Sequence, residues 1–280
     1  MGTLILSPSS YFKIVAEYGR FKMHKNKGIL LIHGLTGSPH EFIPVDSALQ
    51  AAGYHTRMVT LPGHGDAPAK RFHETSTLEI LDHCESEYQQ MAKEVDEVYI
   101  VGHSLGGICT LLTAAMRPAK LKGIVVFSAP YEYAYFYNYM HGLARVPLGQ
   151  LLRGIYLAPR DRVKFVSPDH RPWHMPKLVQ QSKIIFSLMK ENLHSIEVPV
   201  SLAHSLYDLT IPYAEMQKLA EKVGKFSRVK TTTLTRSGHR IFPISKDMDE
   251  AIRVIFDFLE TDCQAMAEGK PVPSGQYVRH

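Results

Sequence analysis

Ser104 has the sequence surroundings of a nucleophile. It sits in Val98-Tyr99-Ile100-Val101-Gly102-His103-Ser104-Leu105-Gly106-Gly107, with an apolar, β-branched run before it. After it, Ile108, Leu111, Leu112 and Ala115 recur at the spacing of one helix face, which Pro118 limits. A strand that turns straight into a helix leaves no room for side chains at Gly102 and Gly106, and it carries Ser104 at the apex with strained backbone angles. The backbone N–H of Leu105, at the start of that helix, is placed to stabilise an oxyanion. A serine hydroxyl is a weak nucleophile near neutral pH, so it needs a base within reach and a third group that orients the base. Asp208, in Tyr207-Asp208-Leu209-Thr210-Ile211-Pro212, follows a strand ending near Ser205; His239, in Ser237-Gly238-His239-Arg240, follows the next strand. Both stand at carboxyl ends of strands, where parallel sheets gather their sites. His239 is expected to take the Ser104 proton and pass it to the leaving group, with Asp208 holding its tautomer. Glu132, after an earlier strand, is a rival acid.

A second oxyanion donor is expected from the loop His33-Gly34-Leu35-Thr36-Gly37-Ser38-Pro39, through the N–H of Leu35. A catalytic histidine is already available, so His33, His64, His194 and His204 are read as structural.

The elements that must position these residues alternate along the chain. Gly28 to His33 is a buried strand, Phe42, Val45, Leu49 and Ala52 mark a helix stopped by Gly53, and Tyr54 to Leu61 is the next strand. Ser76-Thr77-Leu78-Glu79 reads as a capping box opening a helix that carries Leu78, Leu81, Tyr88 and Met91. Leu121 to Phe127 is a further strand. From Tyr131 to about Glu197 the alternation breaks into tyrosine-rich and proline-broken sequence, with a helix expected over Leu178 to Leu193. Regularity returns with strands at Val198 to Ser205 and Val229 to Leu234, a helix at Tyr213 to Val223, and a last helix face of Ile252, Ile255, Phe256 and Leu259. The expected organisation is a core over residues 1–130, an inserted cap over 131–197, core again over 198–267 and a loose tail over 268–280. Tyr11 to Glu17 is read as an edge strand.

Composition narrows the class. The 280 residues are 45% hydrophobic, enough for a sizeable core, and the net charge of +5 is spread along the chain, so no nucleic-acid partner is indicated. Cys84, Cys109 and Cys263 lack C-x-x-C spacing and are read as reduced. No run approaches the ~18 to 20 apolar residues of a membrane span, and the amino-terminal sequence has no basic, apolar leader pattern, so a cytoplasmic location without membrane insertion is expected. The fifteen histidines are scattered, without His-Glu-x-x-His, and the Gly102 to Gly107 stretch is neither a P-loop nor a dinucleotide fingerprint. Neither a metal nor a cofactor is expected; oligomeric state is left open.

These motifs together resemble the α/β-hydrolase superfamily and, within it, the bacterial carboxylesterase and monoacylglycerol lipase group. The resemblance covers about residues 28–130 and 197–260. It implies an α/β fold with a mostly parallel central sheet, helices on both faces and an inserted cap. It implies a triad of Ser104, Asp208 and His239, with oxyanion N–H groups from Leu35 and Leu105. The implied activity is hydrolysis of short to medium acyl esters, monoacylglycerols among them, through an acyl-enzyme, with a small-molecule ester as partner. An amidase, peptidase or C–C hydrolase on the same triad, or a non-catalytic binding protein on the same fold, are the alternatives.

Overall fold

A computed structural model describes residues 24, 26–67, 69–132, 175–242, 245–270 and 276–278. The sheet runs through the middle of the molecule: β1 (Lys27–Ile32), β2 (His55–Val59), β3 (Glu97–His103), β4 (Leu121–Phe127), β5 (Val200–Ser205), β6 (Val229–Leu234) and β7 (Gln276–Val278) lie in the order β2-β1-β3-β4-β5-β6-β7. All pairs are parallel except β6 with β7. Parallel strands need covered crossovers, and burial on both faces is why their sequences read as continuous apolar runs.

The period of two along each strand divides the core. Leu30, Ile32, Val98, Ile100, Ile124 and Val126 face one side, packed with the helices α3 (Thr77–Glu94), α4 (Leu105–Ala115), α5 (Met175–Asn192) and α6 (Ala214–Val223). Ile29, Leu31, Tyr99, Val101, Val125 and Phe127 face the other, against α1 (Ile43–Ala51) and α7 (Met248–Asp257). A one-residue slip of any central strand would exchange these two sets, so the two-sided burial fixes the register that brings Gly102 level with Ile32 and Val126.

The local signals act as read, with instructive exceptions. Ser76 caps α3, its side chain accepting from the Glu79 N–H, but the Glu79 carboxylate turns to Arg71 instead of closing the box. Leu78 is 61% exposed. The buried face of α3 is Thr77, Cys84, Tyr88 and Met91, and Leu78 lies about 100° around the helix from Thr77. The short helix α2 (Ala69–Glu74) follows β2. At the end of α7 the chain passes through a π-helical turn, Phe258–Asp262, into α8 (Cys263–Ala267), all on the same buried side.

Two expectations change. The stretch read as a loose tail supplies β7, which covers the otherwise open edge of β6; its shortness and its prolines hide it from a periodicity reading. The helix expected over Leu178 to Leu193 is α5, which begins earlier, at Met175. The edge strand read at Tyr11 to Glu17, and residues 133–174 of the expected cap, lie outside the described residues. Among the described residues no helix is long and apolar enough to cross a membrane.

Ile100, fully buried at the centre of β3, tests this core. Ile100→Ala is expected to lower stability by about 2–5 kcal/mol in urea unfolding, through lost burial and an unfilled cavity. A change under about 1 kcal/mol would show that the core there is looser than described.

Candidate active site

The Ser104 turn is held by close approach of backbone. Ser104 has φ 55° and ψ −115°, outside the ordinary α and β regions. A side chain at Gly106 would meet the His33 carbonyl at 2.6 Å, and one at Gly102 would meet the Gly106 carbonyl carbon at the same distance. Both positions therefore exclude anything larger than hydrogen. The Ser104 N–H donates to the Phe127 carbonyl at 2.8 Å, and its own carbonyl accepts from Ile108 N–H at 3.2 Å, so strand and helix grip the turn from both sides. Among the described residues, Thr36, Ser104, Arg117 and Ser128 are the non-glycine positions with positive φ. Three of them, Thr36, Ser104 and Ser128, lie just past β1, β3 and β4, so the backbone strain gathers at one end of the sheet.

Into that end come the loops after β5 and β6. His239 Nε2 is 3.1 Å from Ser104 Oγ, and His239 Nδ1 is 2.7 Å from Asp208 Oδ2. Asp208 Oδ1 accepts from the Thr210 and Ile211 N–H groups, each at 2.8 Å. His204 Nε2 donates to the Ile211 carbonyl at 2.8 Å and lies 3.2 Å from Asp208 Oδ2. Burial alone would push the Asp208 carboxyl up; the His239 charge and the hydrogen bonds from His204 and His239 outweigh it and hold the group well below the usual carboxylate range. The loop bearing His239 is fixed in turn by Asp247, which accepts from the Arg236 N–H at 2.7 Å and the Ser237 hydroxyl at 2.8 Å. The Ser205 hydroxyl donates to the Ser237 carbonyl. In the tautomer that carries its proton on Nδ1 toward Asp208, His239 turns the lone pair of Nε2 to the Ser104 hydroxyl.

Leu105 is the first residue of α4, so its N–H has no partner carbonyl inside the helix. Leu35 stands in the turn after β1, where a side chain on Gly34 would come within 3.2 Å of Ser104 Cβ. Both leucines line a largely apolar pocket with His64, Phe72, Ile185 and Phe186. Helix α5 reaches that pocket because Gln181 binds the start of α3: its side-chain oxygen accepts the Thr77 N–H at 2.6 Å and its carbonyl accepts the Thr77 hydroxyl at 2.8 Å.

The structure brings Ser104, Asp208 and His239 together and sets Leu35 and Leu105 beside the serine. Glu132, the rival acid, is elsewhere: its carboxylate binds Lys190 Nζ at 2.7 Å, which draws its pKa below the usual value. His33 uses both ring nitrogens on backbone, accepting the Leu61 N–H at Nε2 (3.1 Å) and donating from Nδ1 to the Gly34 carbonyl (2.8 Å). Burial lowers its pKa, so it stays neutral and ties the β1 and β2 loops. His204, read only as structural, contacts the acid, and two neighbours of the serine went unread. His103 Nδ1 is 3.2 Å from Glu41 Oε1, and its Nε2 is 3.0 Å from the His239 carbonyl. No spacing links Glu41 to His103, which are 62 residues apart; the only sequence hint is a histidine directly before the serine. Among the described residues no three His, Cys, Asp or Glu side chains converge to hold a metal ion.

Residues 28–158 match the protein family described as "alpha/beta hydrolase fold". The chain is 33% identical over 106 residues to a thermostable monoacylglycerol lipase of Bacillus sp. strain H-257, covering 36% of this chain and 40% of that protein. It is 31% identical over 128 residues to a pimeloyl-[acyl-carrier protein] methyl ester esterase of Neisseria meningitidis, covering 45% of this chain and 46% of that protein. The matched region thus spans less than half the length of either relative. A solved monoacylglycerol lipase of Paleococcus ferrophilus superposes with a TM-score of 0.63 over 85% of this chain and 96% of that one, at 22% identity, a likeness of fold.

The depressed Asp208 carboxyl makes a prediction about acid stability. A carboxyl held below its unfolded value contributes stability that is fully present above that value and is lost as pH falls toward the folded one. Asp208→Asn is therefore expected to flatten the fall in thermal midpoint between about pH 5 and pH 3 relative to wild type. An equally steep fall in both proteins would contradict the depressed pKa.

Proposed function

We propose that this chain, a member of the α/β-hydrolase superfamily, is a serine carboxylic-ester hydrolase that acts through an acyl-enzyme. One observation carries the reading: a strained, glycine-flanked serine aligned with a histidine at 3.1 Å that is itself held by a buried aspartate at 2.7 Å. The names of the relatives, a monoacylglycerol lipase and a methyl ester esterase, support ester hydrolysis as the reaction type.

The chemistry follows from that geometry. Ser104 Oγ attacks the ester carbonyl carbon while His239 Nε2 takes the hydroxyl proton. The carbonyl oxygen becomes an oxyanion facing the N–H groups of Leu35 and Leu105, whose dipoles are fixed before the charge develops. Asp208 stays ionised and stabilises the imidazolium; the added contact from His204 keeps the acid from rotating away. His239 then gives the proton to the alcohol oxygen, the C–O bond breaks, and the acyl group remains on Ser104. Water enters the vacated position, His239 removes its proton as the oxygen bonds to the acyl carbon, and collapse of the second tetrahedral intermediate returns that proton to Ser104 Oγ and releases the carboxylic acid. Leu35, Leu105, Phe72, Ile185 and Phe186 suit an acyl chain of short to medium length, monoacylglycerols included. The inserted segment 131–197, of which α5 packs on α3 beside the pocket, is proposed as the cap over it.

A panel of p-nitrophenyl esters of increasing chain length, run with a monoacylglycerol, tests the proposal. Turnover is expected to peak at one chain length, with kcat falling by about 10⁵ to 10⁶ in Ser104→Ala and by about 10⁴ in Asp208→Asn. Full activity in Ser104→Ala would overturn the assignment, and turnover of amides in preference to every ester would replace the reaction class.

A further inference from the structure

His103 is 4% exposed, yet both of its ring nitrogens face acceptors. Nδ1 meets Glu41 Oε1 at 3.2 Å and Nε2 meets the carbonyl oxygen of His239 at 3.0 Å. A neutral imidazole has one N–H and can satisfy only one of them; the other nitrogen would then turn a lone pair toward an oxygen. Only the imidazolium donates to both. The surroundings agree on that charge state. Burial opposes it, but the Glu41 charge and hydrogen bond, the His239 carbonyl and the Asp208 charge outweigh burial and raise the His103 pKa above the ordinary imidazole value.

The same carboxylate reaches a third loop, since Glu41 Oε1 also accepts the Gly34 N–H at 3.2 Å. Gly34 directly precedes Leu35, His103 directly precedes Ser104, and the His239 carbonyl belongs to the base itself. Three segments are thus joined through one ion pair. The groups that face His103 come from every element around it. They are Glu41 from the 3-10 turn Pro39–Phe42, neutral His33 after β1, Asp208 after β5 and His239 after β6, with Phe242 packed edge-on at 6.2 Å.

We propose that Glu41 and a doubly protonated His103 are positioning residues that hold the oxyanion loop, the Ser104 turn and the His239 loop in one arrangement, and that releasing the His103 proton uncouples them. The proposal rests on the ester-hydrolase reading of the site. Deprotonation of His103 forfeits either the Glu41 bond, which loosens Gly34 and Leu35, or the His239 carbonyl bond, which loosens the base. Either way kcat falls, because a displacement of about 1 Å in a reacting group costs up to 10²-fold. KM changes less, because neither Glu41 nor His103 is among the residues that line the pocket.

The test is the pH dependence of kcat/KM for one p-nitrophenyl ester, in wild type, Glu41→Gln and His103→Gln, beside the ¹⁵N imidazole NMR spectrum of wild type. The wild-type profile is expected to carry an alkaline limb. Glu41→Gln should move that limb to lower pH, since the carboxylate that retains the proton is gone. His103→Gln should delete it, leaving a plateau about tenfold below wild type with KM within about threefold. The spectrum should show both His103 nitrogens protonated at pH 7. An alkaline limb unmoved in both variants, or a singly protonated His103 ring at pH 7, overturns the proposal. The spectrum needs no substrate and no variant, so it decides the His103 charge even where a variant fails to fold. Loss of the ester-hydrolase reading would show separately, as full turnover by Ser104→Ala.

Discussion

The site depends on how closely the β3–α4 turn approaches the end of β1. Gly106 lies so near the Ile32 and His33 carbonyls that no side chain fits, and Gly102 lies as near to the first turn of α4. That contact forces the chain to reverse within a few residues, and the reversal places Ser104 at φ 55°. Such a conformation costs of order 1–3 kcal/mol and persists only where the surroundings over-determine it. Here they do: β1 and β4 flank β3 in parallel register, and the Phe127 carbonyl and α4 take the turn's hydrogen bonds. The two-sided apolar core therefore has a chemical consequence, because it supplies the rigidity that keeps a strained serine in place.

Around that fixed point the electrostatics are layered. Asp208 is buried, accepts two backbone N–H groups at one oxygen and two histidines at the other, and so remains an anion where burial would otherwise protonate it. His239 lies between this anion and the serine, and its ring is 5.1 Å from that of His103.

Much of this was legible in the sequence because it is local. The apolar runs of β1, β3 and β4 announce strands buried on both faces, and Gly-x-Ser-x-Gly between a strand and a helical face announces the turn. Asp208 and His239 were readable because each follows a strand, so that both stand at the carboxyl ends of neighbouring strands. The pairings across the fold were not legible. Glu41 with His103, His204 with Asp208, and Gln181 with Thr77 join segments or loop geometries that no periodicity connects. Leu78 shows the same limit within one helix: the pattern recognised α3, but a shift of one residue decided which side chains face the core. β7 was missed because three residues between prolines and the chain end carry too little pattern, although an open edge at β6 needs a partner.

Ser104 is the residue proposed to carry the acyl group during turnover. Rapid mixing with a p-nitrophenyl ester, followed by acid quench and peptide mass spectrometry, tests it most directly. The expected result is an initial burst of p-nitrophenolate no larger than one equivalent per chain and the acyl mass on the peptide containing Ser104, absent in Ser104→Ala. Steady turnover with the acyl mass on another residue, or turnover that survives intact in Ser104→Ala, would contradict it.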